Sequence, residues 1–353
     1  MYLELINPLF LKKSKFQTYV NENYSQCLNC ERKCKIMKEK SGFCQTRVNL
    51  DGIIHSIVYG LIPSLSYNFI EKKPLYHFHP GSVAITLGTY GCNFSCFWCQ
   101  NHHLSHPSKE IIDLVKKSTE YFPPEKIIEL AMVNNCQGTS ISFNEPTLLF
   151  EYSLDLFKLA KNKGLYNTFV TNGYMTEDVL RELAKSGLDA MNIDIKGDGK
   201  MVKKYCKADI ENVWKTAKLA KNLGIHIELT TLIIEDFNTN DEVIKSISER
   251  IINDLGKETP YHISRFFPHY KSHEYYLFKP TSIKYLHKTY DIAKQVGLKF
   301  VYLGNLAHSN YENTYCPKCS KLAIERPIYG LTKMNLKLDG TCAHCGFPII
   351  KNS

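Results

Sequence analysis

Residues 82–101 read SVAITLGTYGCNFSCFWCQN, and this stretch decides the fold. Ser82–Leu87 is an apolar, β-rich run that predicts a strand. It leads into a loop with Cys92, Cys96 and Cys99 in C-x3-C-x2-C spacing. Three thiolates so spaced can hold three irons of a [4Fe–4S] cluster and leave the fourth iron open to a small molecule. Gly88, Gly91 and Asn93 permit the tight backbone such wrapping needs. Trp98, directly before the third cysteine, makes the pattern more specific. The competing readings are a zinc knuckle short of one ligand and a chance cluster.

The chain around this loop alternates strands with helices. Helical spacing is expected over Pro124–Asn134, Thr147–Asn162, Glu211–Asn222, Asp241–Leu255 and Ser282–Gln295, and Thr176 is expected to cap a helix stopped at Gly187. Strands are expected at Ser140–Phe143, Tyr166–Val170, Ala190–Ile195, His226–Leu232, Tyr261–Arg265 and Lys299–Leu303. Strand–helix units repeated in this way predict an α/β fold with a parallel sheet, read here as an open barrel of about six units, a partial (β/α)6 barrel. Ligands of such folds gather at the C-terminal ends of the strands.

The 353 residues carry 13 cysteines and a formal charge of +9, from 44 Lys+Arg against 35 Asp+Glu. That composition suits a globular chain and excludes a disordered, collagenous or coiled-coil one. No apolar run approaches the roughly 20 residues of a membrane-spanning helix. The first residues show no secretory signal, so a reducing cytoplasm is expected, where clustered cysteines argue for metal or catalysis. The positive charge is mostly lysine spread along helices. It reads as a solvated face; nucleic acid is not the expected partner.

The other cysteines define two outer groups and two single residues. Cys27, Cys30, Cys34 and Cys44 lie in a Cys-rich segment, residues 1–80. Cys316, Cys319, Cys342 and Cys345 lie in a terminal module, residues 306–353, beyond a central body of 81–305. Two C-x2-C knuckles 22 residues apart suit four-thiolate zinc, a zinc-ribbon-like module, with a single rubredoxin-type iron or free thiols as the alternatives. For the N-terminal four, a second iron–sulfur cluster, zinc and no metal all stand. Cys136 reads as core. Cys206 reads either as a hydrogen donor or radical site, or as a small apolar filler. His77 and His79 read as packing or hydrogen bonding in preference to a metal pair.

The cysteine loop and the strand-end segments resemble the radical S-adenosylmethionine (SAM) superfamily, which carries CxxxCxxC on the first βα loop of a partial barrel. The segments EKKPLYHFHPGS, GTYGCNFSCFWCQN, NEPT, NIDIKG, ELTTLII, HISRFFPHY and ENTYCPKC…TCAHC resemble more narrowly the AmmeMemoRadiSam system enzymes, homologues of pyruvate formate-lyase activating enzyme. The resemblance implies that a reduced cluster on Cys92, Cys96 and Cys99 cleaves SAM to a 5′-deoxyadenosyl radical that abstracts hydrogen from a protein or small molecule. It implies cofactor contacts from Asn144, Glu145, Asn172, Asp194 and Lys196, with Glu145 on the SAM ammonium and Lys196 or Arg265 on its carboxylate. Asp194 and Lys196 pairing only with each other, and Arg265 in a structural ion pair, are the alternatives. Thr171 and Thr230 read as satisfying strand-end backbone. The implied partners are a flavodoxin- or ferredoxin-type reductant and a protein substrate, AMMECR- or Memo-type proteins included. A glycyl-radical activase and a non-catalytic metal or nucleic-acid binder are the competing functions. Two positions depart from the pattern: NEP lacks the family's two glycines before its acid, and His102 stands where Trp is expected.

Overall fold

The protein, seen in a computed structural model, is described over residues 6–306, 310–327 and 330–350. The first five residues, included in the leader reading, lie outside this range. The chain centres on an eight-stranded sheet. Its strands are β1 (Ser64–Phe69), β2 (Val83–Gly88), β3 (Gly138–Ile141), β4 (Tyr166–Thr171), β5 (Ala190–Asp194), β6 (His226–Ile233), β7 (Tyr261–Arg265) and β8 (Val301–Gly304). They lie side by side in chain order. β2 to β8 are parallel, and β1 runs antiparallel to β2. β1 was not among the expected strands; its alternation of half-buried and exposed positions suits an edge. β3 is wholly buried, as a strand covered on both faces should be.

Helices α1 (Pro124–Val133), α2 (Phe150–Asn162), α3 (Glu177–Ser186), α4 (Ile210–Asn222), α5 (Asp241–Leu255) and α6 (Ile283–Val296) fill the six crossovers. Their apolar faces join one large core with the sheet. Gly187 ends α3 in the left-handed conformation at φ 102°, where a side chain would be strained. Thr176 stands at the N-terminal cap position of α3 but does not cap it; its hydroxyl donates to the Leu28 carbonyl at 2.8 Å.

Residues 12–56 form two three-stranded sheets packed beside the central one. Arg47 anchors them. It is buried and makes two hydrogen bonds to Glu151 of α2, at 2.8 and 2.7 Å. At the other end, Thr314–Tyr315, Leu322–Glu325 and Lys333–Met334 form a small sheet. It buries Cys316 and Cys342 against Tyr76, Phe300 and Tyr302. His77 ties this module to the central body through Ile349 O at 2.7 Å and the Tyr302 hydroxyl at 2.6 Å.

Candidate active site

Strand β2 delivers the cysteine loop to the C-terminal edge of the sheet. Gly91 takes φ 88°, and a Cβ there would sit 2.6 Å from the Cys44 carbonyl oxygen, so only glycine fits. The loop is then clamped. The Asn144 side chain accepts from Thr89 N at 3.1 Å and donates to Gly91 O at 2.9 Å. Ser95 N donates to Cys206 O at 3.3 Å, and Asn101 donates to Phe143 O at 2.6 Å. These bonds leave Cys92, Cys96 and Cys99 on the wall of a cavity of about 1,310 Å³.

Every strand from β4 to β8 adds residues to that wall. Asn144 and Glu145 follow β3, Thr171 and Asn172 end β4, Asp194 and Lys196 end β5, Thr230 and Leu232 lie on β6, His262 and Arg265 on β7, and Gly304 on β8. Parallel strands present all their C-terminal ends on one side, which explains why residues so distant in sequence meet here.

Glu145 is 2% exposed and fixed from several directions. Its Oε1 accepts from Thr147 N at 3.1 Å, Thr147 Oγ1 at 2.5 Å and Thr171 Oγ1 at 2.7 Å. Among the described residues its Oε2 accepts from Asn172 N alone, at 2.9 Å, which leaves room for one more donor. Burial raises its pKa, and the hydrogen bonds from Thr147, Asn172 and Thr171 oppose that rise. Thr171 therefore supports Glu145 and does not merely satisfy strand-end backbone. Thr230 likewise spends its hydroxyl on the Asn192 side chain, at 2.8 Å. Asn172 donates to Asn93 Oδ1 at 2.7 Å, which fixes the residue beside Cys92.

Asp194 and Lys196 do pair, at 2.9 Å, and both also face the cavity. Burial works against the lysine's charge, but the Asp194 carboxylate outweighs it and holds the pKa above its usual value. Arg265 is not in the structural ion pair that stood as its alternative. Its Nε donates to Thr281 O at 2.7 Å and its guanidinium lies 5.3 Å from the centre of the Phe267 ring. Among the described residues no carboxylate pairs with it, so the remaining donors of its planar fork suit a ligand carboxylate.

Cys206 is fully buried, with its sulfur 3.4 Å from that of Cys96 and outside the cavity wall. It packs behind the ligand loop, against Cys96. His102 stacks on Tyr270. Several wall residues were not singled out as site residues from the sequence. Lys73 is buried beside Phe143, and burial, with help from Lys72, lowers its pKa to about 8. Arg326, Glu71, Tyr76 and Glu312 also line the cavity, and burial raises Glu312 to about 7 against the pull of Arg326. No periodicity marks such positions, because each comes from a loop or a connection.

The residues fit the cofactors that their pattern implies. Three thiols with polar and charged partners for an amino acid share one space, and that space is larger than the ~300–1,000 Å³ of ordinary small-molecule pockets. Burial raises the Cys92 and Cys99 thiols, so a cation is needed to hold them as thiolates. At the other cysteine module the sulfurs of Cys316 and Cys345 are 3.5 Å apart and those of Cys319 and Cys342 are 3.8 Å apart. All four ligand atoms lie within 4.8 Å of one another. Four thiolates around one zinc at about 2.3 Å would stand roughly 3.8 Å apart.

A family profile described as "Radical SAM superfamily" matches residues 86–249. An uncharacterized protein of Methanocaldococcus jannaschii is 40% identical over 341 residues, 96% of this chain and 99% of that one. A second chain of that organism, provisionally named a glycyl-radical enzyme activating enzyme, is 29% identical over 237 residues, 65% of this chain and 81% of that one. Among solved structures, a domain of pyruvate-formate lyase-activating enzyme from Bacteroides vulgatus is 19% identical with a TM-score of 0.40, covering 48% of this chain and 99% of that domain.

Proposed function

The chain belongs to the radical SAM superfamily, and from that premise we propose that it is an enzyme of the AmmeMemoRadiSam type acting on a protein or small-molecule substrate. One observation carries the reading: Cys92, Cys96 and Cys99 share a cavity with Glu145, Asn172, Asp194, Lys196 and Arg265. Bound there, a [4Fe–4S] cluster and SAM would supply reductive cleavage of the sulfonium and a 5′-deoxyadenosyl radical for hydrogen abstraction. The chain's own residues bind and orient. Glu145 Oε2 accepts from the ammonium of SAM, and Thr147 and Thr171 keep that carboxylate in place. Arg265 grips the SAM carboxylate with its free guanidinium edge. Lys196, neutralised by Asp194, completes the polar wall beside the cysteines. Trp98, only 4% exposed, lies on the same wall and helps keep water out.

The size of the cavity leaves space for a substrate side chain as well as SAM, and Lys73, Tyr76, Arg326 and Glu312 on its wall would be available to contact it. A protein substrate of AMMECR or Memo type, and a flavodoxin- or ferredoxin-type reductant in a cytoplasmic setting, complete this reading. Zinc on Cys316, Cys319, Cys342 and Cys345 holds the terminal module, which contributes Arg326 to the cavity. Activation of a glycyl-radical enzyme is the second reading, favoured by the relative of that provisional name.

The test is anaerobic reconstitution with iron and sulfide, reduction with dithionite, addition of SAM, and quantification of 5′-deoxyadenosine and methionine. Formation of both products by the wild type and not by Cys96→Ala supports the proposal. A fully loaded wild type that neither binds nor cleaves SAM refutes it.

A further inference from the structure

The N-terminal cysteines surround a cavity separate from the one already described. We propose that Cys27, Cys30, Cys34 and Cys44 hold a second iron–sulfur cluster there, not zinc.

The first argument is spacing. Among the described residues, the C-terminal four are the one group of three or more metal-ligating side chains whose ligand atoms all lie within 4.8 Å of one another. The N-terminal thiols are not drawn together in that way. They line a cavity of about 20 Å³. A tetrahedral zinc site leaves no void, because its sulfurs close to roughly 3.8 Å around a single ion. An inorganic cluster occupies the space between its thiolates and needs a gap there.

The second argument is the set of donors on the cavity wall. Asn29, Arg47 and Asn93 line it, and each has a buried N–H group with no hydrogen-bond partner: Asn29 Nδ2, Arg47 Nε and Asn93 Nδ2. Their other polar atoms are used. Asn29 Oδ1 accepts from Ser14 Oγ at 3.0 Å, Asn93 Oδ1 accepts from Asn172, and the Arg47 terminal nitrogens bind Glu151. A buried N–H left unpaired is destabilising. Three residues that line the cavity with the four thiols thus carry orphaned donors, and the sulfurs of an iron–sulfur cluster accept such hydrogen bonds. The Arg47 guanidinium adds positive charge at the same wall.

The position is next to the SAM-binding loop. Asn93 follows Cys92 directly, and Gly91 lies against Cys44 O. Arg32, also on this wall, donates to Asn93 O and, at 3.1 Å, to Cys206 O. Cys30 pairs with Met175 just beyond β4. The N-terminal segment thus seals the back of the radical site with its own four thiols.

The experiment uses the full chain with Cys92→Ala, Cys96→Ala and Cys99→Ala combined, reconstituted anaerobically with ferrous iron and sulfide and then desalted. Acid-labile sulfide decides the outcome, because neither zinc nor a single rubredoxin-type iron carries any. The triple variant is expected to keep about two or about four sulfides with matching iron, the number giving the cluster type. A dithionite-dependent electron paramagnetic resonance signal should remain, and adding Cys30→Ser and Cys34→Ser should remove both. Sulfide-free triple variant, or about two zincs per wild-type chain, overturns the proposal. Should the triple variant misfold, the wild type answers alone, with about six or eight sulfides expected against about four if only one cluster is present. Sulfide in the wild type that is wholly lost in a folded triple variant would sink this proposal and leave the radical SAM reading intact. Sulfide equal in the two would do the reverse.

Discussion

Replacing Glu145 by Gln separates the binding role of its carboxylate from its structural role. The carboxylate accepts three hydrogen bonds on Oε1 and one on Oε2, and Oε2 is the atom with capacity for the SAM ammonium. In Glu145→Gln the amide oxygen keeps the three bonds at the Oε1 position. The amide nitrogen then faces Asn172 N–H, which loses its acceptor. That loss costs about 1–3 kcal/mol of stability. The loss of a charge-assisted bond to the ammonium, about 1.5–3 kcal/mol, weakens SAM binding roughly 10- to 150-fold. Thr147→Val is the control. It removes the 2.5 Å bond to Oε1 but keeps the charge and Oε2, so it should lower the melting temperature with little change in affinity. The assay is equilibrium binding of labelled SAM to reconstituted proteins of matched iron content, alongside thermal melts. An affinity in Glu145→Gln within twofold of wild type, at equal iron, would refute the assignment.

Four further outcomes follow from the geometry. Arg265→Ala should weaken SAM binding by about tenfold, and Arg265→Lys should not restore it, since a point charge cannot replace the planar fork; equal affinities in the same binding assay would exclude the carboxylate contact. Cys206→Ala should still form 5′-deoxyadenosine and lose roughly 1 kcal/mol of stability, whereas a loaded variant without that product would return Cys206 to the chemistry. Burial holds His77 at a pKa of about 4, so between about 6.5 and 4 the unfolded chain takes up a proton that the folded chain refuses. Stability therefore falls as the pH drops through that window, by roughly 3 kcal/mol at most, and His77→Gln should flatten the fall in pH-dependent melts. Removing zinc with a chelator should make the segment after Thr314 sensitive to protease and release about one zinc per chain; a chain resistant without zinc would show that the metal is not structural.

The alternation of apolar strands with amphipathic helices was legible because each element's periodicity is local. Expected and observed limits coincide at β7 and α5 and differ by a residue or two at most of the other strands and helices. The first strand was missed because it is a half-buried edge with weak alternation. Much of the candidate site was legible through short motifs at strand ends: the cysteine loop, Glu145, Asn172 and the Asp194–Lys196 pair all face one cavity. The place of Lys73, Arg326 and Glu312 on the same wall was not legible, since they come from connections and from the terminal module.

The sequence by itself determined the parallel α/β pattern, the three cysteine groups and the ligand types they offer, because spacing along a chain limits which atoms can share a metal. Tertiary structure alone decided how far apart the thiols of each outer group stand. It separated the C-terminal four, gathered within 4.8 Å, from the N-terminal four around a cavity. It also placed Cys206 behind the loop and left Arg265 without an acidic partner among the described residues. Those distances and partnerships arise between segments far apart in sequence, where packing of the whole core sets the geometry and no local pattern encodes it.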